Sequence, residues 1–262
     1  MRNKMRILAL VGLLICWATV AAAQTIEEIV EKHLAAEGGR EALSKLKSRT
    51  MAGTLTVGTP NGEVSGTIEI YSKEPNKART LIKLDLSSFG AGEMTRDQRF
   101  NGKEGYVIDS MQGNQEITGK QLEDMKNSYF PNQYLNYKEV EAKLELSGKE
   151  KIGERDAYIV VFTPKSGSAS RHYFDAETYL VTKIVTRPTI PELGGEIEQA
   201  IEFLDYREVD GIKVPHQLKI AGPAQTVTIS IKKVEHNATI DDALFSKPPG
   251  EKPPEEKPKP ED

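Results

Sequence analysis

The spacing of apolar residues changes once near the start of the chain and then holds a period of two almost to its end. In TIEEIVEKHLAAEGG, Ile26, Ile29, Val30, His33 and Leu34 recur at helical spacing and form one face. Thr25 followed three residues later by Glu28 reads as a capping box, and Gly38-Gly39 as the stop. Arg40 to Leu46 predicts a second, shorter helix carrying Ala42, Leu43 and Leu46. From Arg49 onward the alternation is that of strands: Met51, Gly53, Leu55 and Val57 share a face, as do Val64, Gly66, Ile68 and Ile70, then Ala78, Thr80, Ile82, Leu84 and Leu86. Asn61-Gly62 and Asn101-Gly102 lie between such runs as hairpin turns. After Val140 the strands resume and continue to His236, giving about twelve in all. Nothing alternates strand with helix as a parallel sheet requires. The pattern predicts a mainly β fold: one large, strongly curved antiparallel sheet with the few helices covering its concave side, a closed barrel being the geometric alternative.

Two segments invite a functional reading. Thr118 to Val140 interrupts the strands with a short helical pattern (Leu122, Met125) and then packs Tyr129, Phe130, Tyr134 and Tyr137 into nine positions. Aromatics that dense either fill a core or roof a ligand cavity as a lid. In IEFLDYREVDGIKVPHQLKI, Asp205, Asp210 and His216 are residue types of a catalytic or metal site. Asp210-Gly211 is equally a turn dipeptide, and alternation places Ile212, Val214, His216, Leu218 and Ile220 on one face. A hairpin accounts for the whole segment, and only the role of His216 stays open.

The two ends bear on compartment rather than fold. Residues 1–23 combine a basic start (Arg2, Lys4, Arg6), an apolar run and Ala21-Ala22-Ala23, the layout of a cleaved secretory signal with Gln24 as the mature start. The only cysteine, Cys16, falls inside it behind Leu14 and Ile15, which do not suit a lipid anchor, so the mature chain is expected to lack thiol chemistry. Loss of the three leading cations takes the formal charge from −4 to −7 (−4 − 3), where a nucleic-acid binder would be basic. Residues 247–262 are nearly all Pro, Glu and Lys and predict an extended tail. One domain, 24–246, remains. No other apolar run reaches the length of a membrane span, so a soluble mature protein is expected.

Catalytic chemistry finds little support. The four histidines, at 33, 172, 216 and 236, form no metal-ligand spacing, and neither a GxSxG elbow nor a phosphate-binding glycine loop is present. No catalytic residue, metal or cofactor is expected. What the pattern supplies instead is a large apolar inner face, which either packs into a filled core or encloses a pocket fit for an acyl chain.

IVEKHLAAEGGREALSKLKSRTMAGTL, HYFDAETYLVTKI, FLDYREVDGIKVPHQLKI and VEHNATIDDALFSKP, in this order over residues 26–248, resemble the LolA-like, outer-membrane lipoprotein-sorting family of bacterial periplasmic proteins. The resemblance implies an incomplete antiparallel β-barrel, here of about 11–12 strands, closed on its open side by short helices around a hydrophobic cavity. It implies a non-enzymatic periplasmic carrier that takes lipid or lipoprotein acyl chains toward the outer membrane. Its partners would be a lipid or acylated lipoprotein and transport components of the inner and outer membranes, with the carrier a monomer. The cavity would be lined by Ile29, Leu34 and Leu43 on the helices and by Leu55, Ile68, Ile82, Leu84, Tyr106 and Phe162 on the strands. The alternative within the same fold is an envelope interaction or sensory domain that binds a protein partner.

Overall fold

Helix α1 (Ile26–Glu37) begins where its capping box places it. The Thr25 hydroxyl accepts the Glu28 N–H and the Glu28 carboxylate accepts the Thr25 N–H, each at 3.2 Å. These bonds satisfy two of the amides that a helix start leaves open. The computed structural model describes residues 24–249 apart from 61, 191–194 and 224. The leader 1–23, Asn61 of the first turn and the tail from residue 250 therefore lie outside the described residues. Helix α2 (Arg40–Ser44) stops short of Leu46, whose amide closes a tighter last turn on the Leu43 carbonyl at 3.1 Å.

Two meanders make up the sheet. The first runs through β1 (Ser48–Thr59), β2 (Gly62–Lys73), β3 (Lys77–Asp85), β4 (Glu93–Phe100), β5 (Gly105–Asp109) and β6 (Gln115–Ile117). The second starts with β7 (Lys143–Ile152), β8 (Arg155–Thr163), β9 (Ser170–Asp175) and β10 (Val181–Thr186). A two-stranded ribbon follows, β11 (Thr189–Ile190) with β12 (Gly195–Glu196), and then β13 (Gln199–Val209), β14 (Ile212–Ala221) and β15 (Thr226–His236). The first strand pairs antiparallel with the last, β1 with β15, so the meanders fuse into one 13-stranded antiparallel sheet with β6 and β7 as its free edges. The sheet does not close into a barrel. Thirteen strands exceed the twelve read from alternation because β6 has three residues, too few to show a period.

This topology decides the path of the aromatic segment. Helix α3 (Gly119–Lys126) and residues 127–142 join β6 to β7, the two opposite edges, so the connection has to cross the open side. Bonds along the way pin it: Asn76 Nδ2 donates to the Lys126 carbonyl at 2.9 Å, the Phe130 N–H to the Pro75 carbonyl at 2.8 Å, and Arg40 Nη1 to the Leu135 carbonyl at 2.9 Å.

Beside a small cluster of Ala157, Tyr173 and Val185, two larger apolar clusters form among the described residues. The larger unites Ile29, Val30 and Leu34 of α1 and Leu43 of α2 with Tyr134 and Tyr137 of the crossing segment and Val160, Phe162, Phe174, Ile212 and Val214 of the strands. The smaller holds Leu55, Ile68, Ile229 and Ile231 buried, rimmed by half-buried Val57, Ile82, Leu84, Leu218, Ile220 and Val227. Met51 and Val234 touch both clusters and mark the seam.

Candidate functional site

A cavity of about 390 Å³ lies beneath the crossing segment. Tyr129, Phe130 and Tyr134 form its roof, His33 and Glu37 of α1 one side, Arg49 of β1 another, and Phe203, Tyr206 and Pro215 of the β13–β14 hairpin the floor. A second cavity of about 350 Å³, between Leu46, Pro75 and Val140, shares Tyr129 and Phe130 as a common wall.

Polar groups around the first cavity are bonded in a consistent pattern. His33 Nδ1–H donates to the Tyr179 carbonyl at 3.0 Å, while the Asn132 amide donates to His33 Nε2 at 3.1 Å and to the Glu37 carboxylate at 2.6 Å. The Asn132 oxygen accepts the Tyr134 N–H at 2.7 Å. His33 is thus a buried structural hinge between α1 and the roof, more deeply enclosed than its place on the helix stripe predicts.

His172 is the residue most open to a catalytic reading, because Ser170 Oγ lies 2.7 Å from its Nε2. The other ring nitrogen, Nδ1, receives the Gln133 amide at 3.2 Å and the Tyr134 hydroxyl at 2.6 Å. An amide NH₂ only donates, so Nδ1 is the acceptor and Nε2 carries the proton that goes to Ser170. A ring in that tautomer does not take a proton from the serine. Burial first, and the neighbouring His33 second, hold the His172 pKa down to about 3. Burial likewise pushes the Tyr134 hydroxyl well above its ordinary value. Both groups are neutral structural partners near pH 7.

The His172 shift carries a pH dependence. A histidine depressed on folding stabilises the fold fully above its unfolded value near 6.5, and this contribution is lost as pH falls from there toward about 3. The expected slope is about 1.4 kcal/mol per pH unit in that window, or about 2 kcal/mol by pH 5. Urea unfolding at pH 7 and pH 5 checks it against His172→Gln, which should show a flatter dependence.

The predicted lining residues are distributed over the molecule. Ile29, Leu34, Leu43 and Phe162 pack in the larger cluster, and Leu55 and Ile68 in the smaller one with half-buried Ile82 and Leu84. Tyr106 belongs to neither: it lines a separate cavity of about 250 Å³ with Ile117 and Phe245, beneath Lys247 at 4.7 Å. The proposed lid residues Tyr129, Phe130 and Tyr134 do come together over one cavity. Sequence reasoning missed Arg49, Phe203 and Tyr206. For Arg49 a signal existed, since alternation puts a cation two positions before Met51 on an otherwise apolar face.

The Asp/His hairpin resolves as structure. Asp210 and Gly211 have φ of 50° and 78°, the two positive values of a type I′ turn. A Cβ on Gly38, the cap of α1, would collide with the Gly211 carbonyl oxygen and lie 3.2 Å from Ile212 Cα, so the helix end docks directly on this turn. His216 Nδ1–H donates to the Val214 carbonyl at 2.9 Å, and the Asp205 carboxylate is held by Arg207 at 2.6 Å. Among the described residues no three His, Cys, Asp or Glu side chains gather as a metal-ligand set.

No family model and no curated protein sequence matches the chain. Solved structures do match over most of its length. A DUF1329 family protein from Desulfovibrio piger superposes with a TM-score of 0.56 at 14% identity, covering 86% of this chain and 98% of its own. A LolA superfamily protein from Nitrosomonas europaea gives 0.55 at 13% identity, covering 86% and 99%. A domain from Vibrio parahaemolyticus described as outer membrane lipoprotein-sorting gives 0.53 at 11% identity, covering 83% and 94%. The chain therefore has the fold of LolA-like proteins, as its motifs led us to expect.

Proposed function

We propose that the protein is a non-enzymatic carrier that holds an acyl chain of a lipid or lipoprotein in the bacterial periplasm and conveys it toward the outer membrane. One observation carries this reading: the smaller cluster on the inner face is left half-open at Val57, Ile82, Leu84, Leu218, Ile220 and Val227, in an open sheet whose helices α1 and α2 pack on the larger cluster instead. Each methylene buried there contributes roughly 0.8 kcal/mol, so a long chain gains several kcal/mol from contact area alone. The sequence of the leader, the LolA-like fold and the orientation of His172 support the same reading. Among the described residues no helix is long and apolar enough to cross a membrane.

Native mass spectrometry of the protein purified from a bacterial envelope tests the proposal. Acyl-bearing species are expected on the wild type and should drop at least about tenfold on Leu84→Trp, which fills the open face, while the thermal midpoint stays within a few degrees. Protein that is always empty, and that takes up no acylated ligand in vitro, sinks the carrier reading.

A further inference from the structure

Arg49 is a cation on the apolar inner face. Met51, Leu55 and Val57 follow it on β1, and Ser72 stands opposite it on β2. Its Nε donates to His236 Nε2 at 3.1 Å and its guanidinium carbon lies 5.6 Å from the centre of the Phe130 ring, so the head group is held in place. The two terminal nitrogens make no hydrogen bond or ion pair among the described residues, and the side chain lines the 390 Å³ cavity.

A half-buried guanidinium whose two terminal nitrogens are unpaired is costly, because burial penalises the charge and the bond to His236 and the Phe130 ring return only part of the energy. Burial lowers the Arg49 pKa accordingly, the charge of Glu37 acting in the opposite sense. Glu37 is committed elsewhere: its carboxylate accepts from Asn132 at 2.6 Å and lies 3.7 Å from His33 Nε2. Lys77, the other cation on the cavity wall, is paired with Asp242 at 2.6 Å. What remains is one planar, fixed donor fork facing a space bounded by Phe130, Phe203 and Val181. Such a fork matches an oxyanion with two oxygens.

We propose that this cavity is an anion subsite, in which Arg49 takes the carboxylate or phosphate end of a single-chain amphiphile whose hydrocarbon lies along the inner face of β1. From Arg49 to Val57 that face extends roughly 26 Å at strand rise. The proposal rests on the carrier reading and adds to it the polarity of the cargo and the direction in which it lies.

Binding of three probes to the wild-type chain decides it: oleate, oleoyl lysophosphatidic acid and oleyl alcohol, each displacing a fluorescent acyl probe. At least one anion is expected to bind about tenfold or more tightly than the alcohol, the better of the two identifying the head group. Arg49→Met should bring that anion to the alcohol's affinity, and Arg49→Lys should restore part of the difference. Equal affinity for all three probes overturns the subsite and leaves the carrier intact, whereas binding of none overturns both. Should Arg49→Met fail to fold, the comparison on the wild type still decides.

Discussion

Asp97→Ala is expected to lower the stability of the protein by about 3–5 kcal/mol, seen as an early urea midpoint. Arg79 and Arg99 are direct cross-strand partners on β3 and β4, a pairing of like charges that is unfavourable on its own. Asp97 makes it possible: Arg79 clamps both carboxylate oxygens at 2.8 and 2.7 Å, and Arg99 reaches one of them at 3.1 and 2.8 Å. All three side chains are nearly enclosed, at 12%, 7% and 13% exposure. Removing the carboxylate leaves two desolvated guanidinia facing each other across β3 and β4, the former being the strand that carries Ile82 and Leu84. Burial acts to raise the Asp97 pKa, but the bonds from Arg79 and Arg99 outweigh it and hold the value below 3.8. That contribution to stability is present above pH 3.8 and is lost as pH falls through the lower folded value, starting at the acid end of the window in which His172 acts. An alanine variant as stable as the wild type at pH 7 would show that the network contributes nothing.

Gly53→Ala is expected to cost about 3 kcal/mol and to abolish acyl binding with it. A Cβ at this position would collide with the Ser230 carbonyl oxygen and lie 2.9 Å from its carbon and 3.0 Å from Ile231 Cα. These are backbone atoms of β15, and they retreat only if the strand moves. Gly53 sits at the irregularity where β1 and β15 change register after Ala52, the point at which the fused meanders bend. Gly58→Ala supplies the control in the same strand, since its Cβ would meet only the Thr226 carbonyl at 3.7 Å. Gly58→Ala should retain wild-type stability and binding; matching losses in both variants would show that curvature at Gly53 is not the cause.

Local signals transferred well from sequence to structure where the physics is local. The capping box at Thr25 and the double glycine bound α1 to the residue, because they act on amides within one turn. Asp210-Gly211 formed its turn for the same reason. Asp205 has a φ of 52°, a left-handed kink that no apolar period registers, although the pairing with β14 keeps its register on both sides of it. On β14 the expected face runs past both clusters, with Ile212 and Val214 in the larger and Leu218 and Ile220 beside the smaller. The aromatic lid was legible as a dense cluster, but whether it filled a core or roofed a cavity was not. It does both: Tyr134 is buried in the larger cluster, and Tyr129 and Phe130 wall the space beside it.

By itself the sequence determined helices α1 and α2, twelve of the thirteen strands of the main sheet and turns such as Asp210-Gly211, all set by residues within a few positions of one another. Only the tertiary structure decided which part of the inner face is filled and which stays open. That outcome depends on β1 lying beside β15, on residues 118–142 crossing from one free edge to the other, and on Arg49 meeting His236 and Phe130. Periodicity orders side chains along one strand; it carries no distance between segments that meet only when the sheet curves.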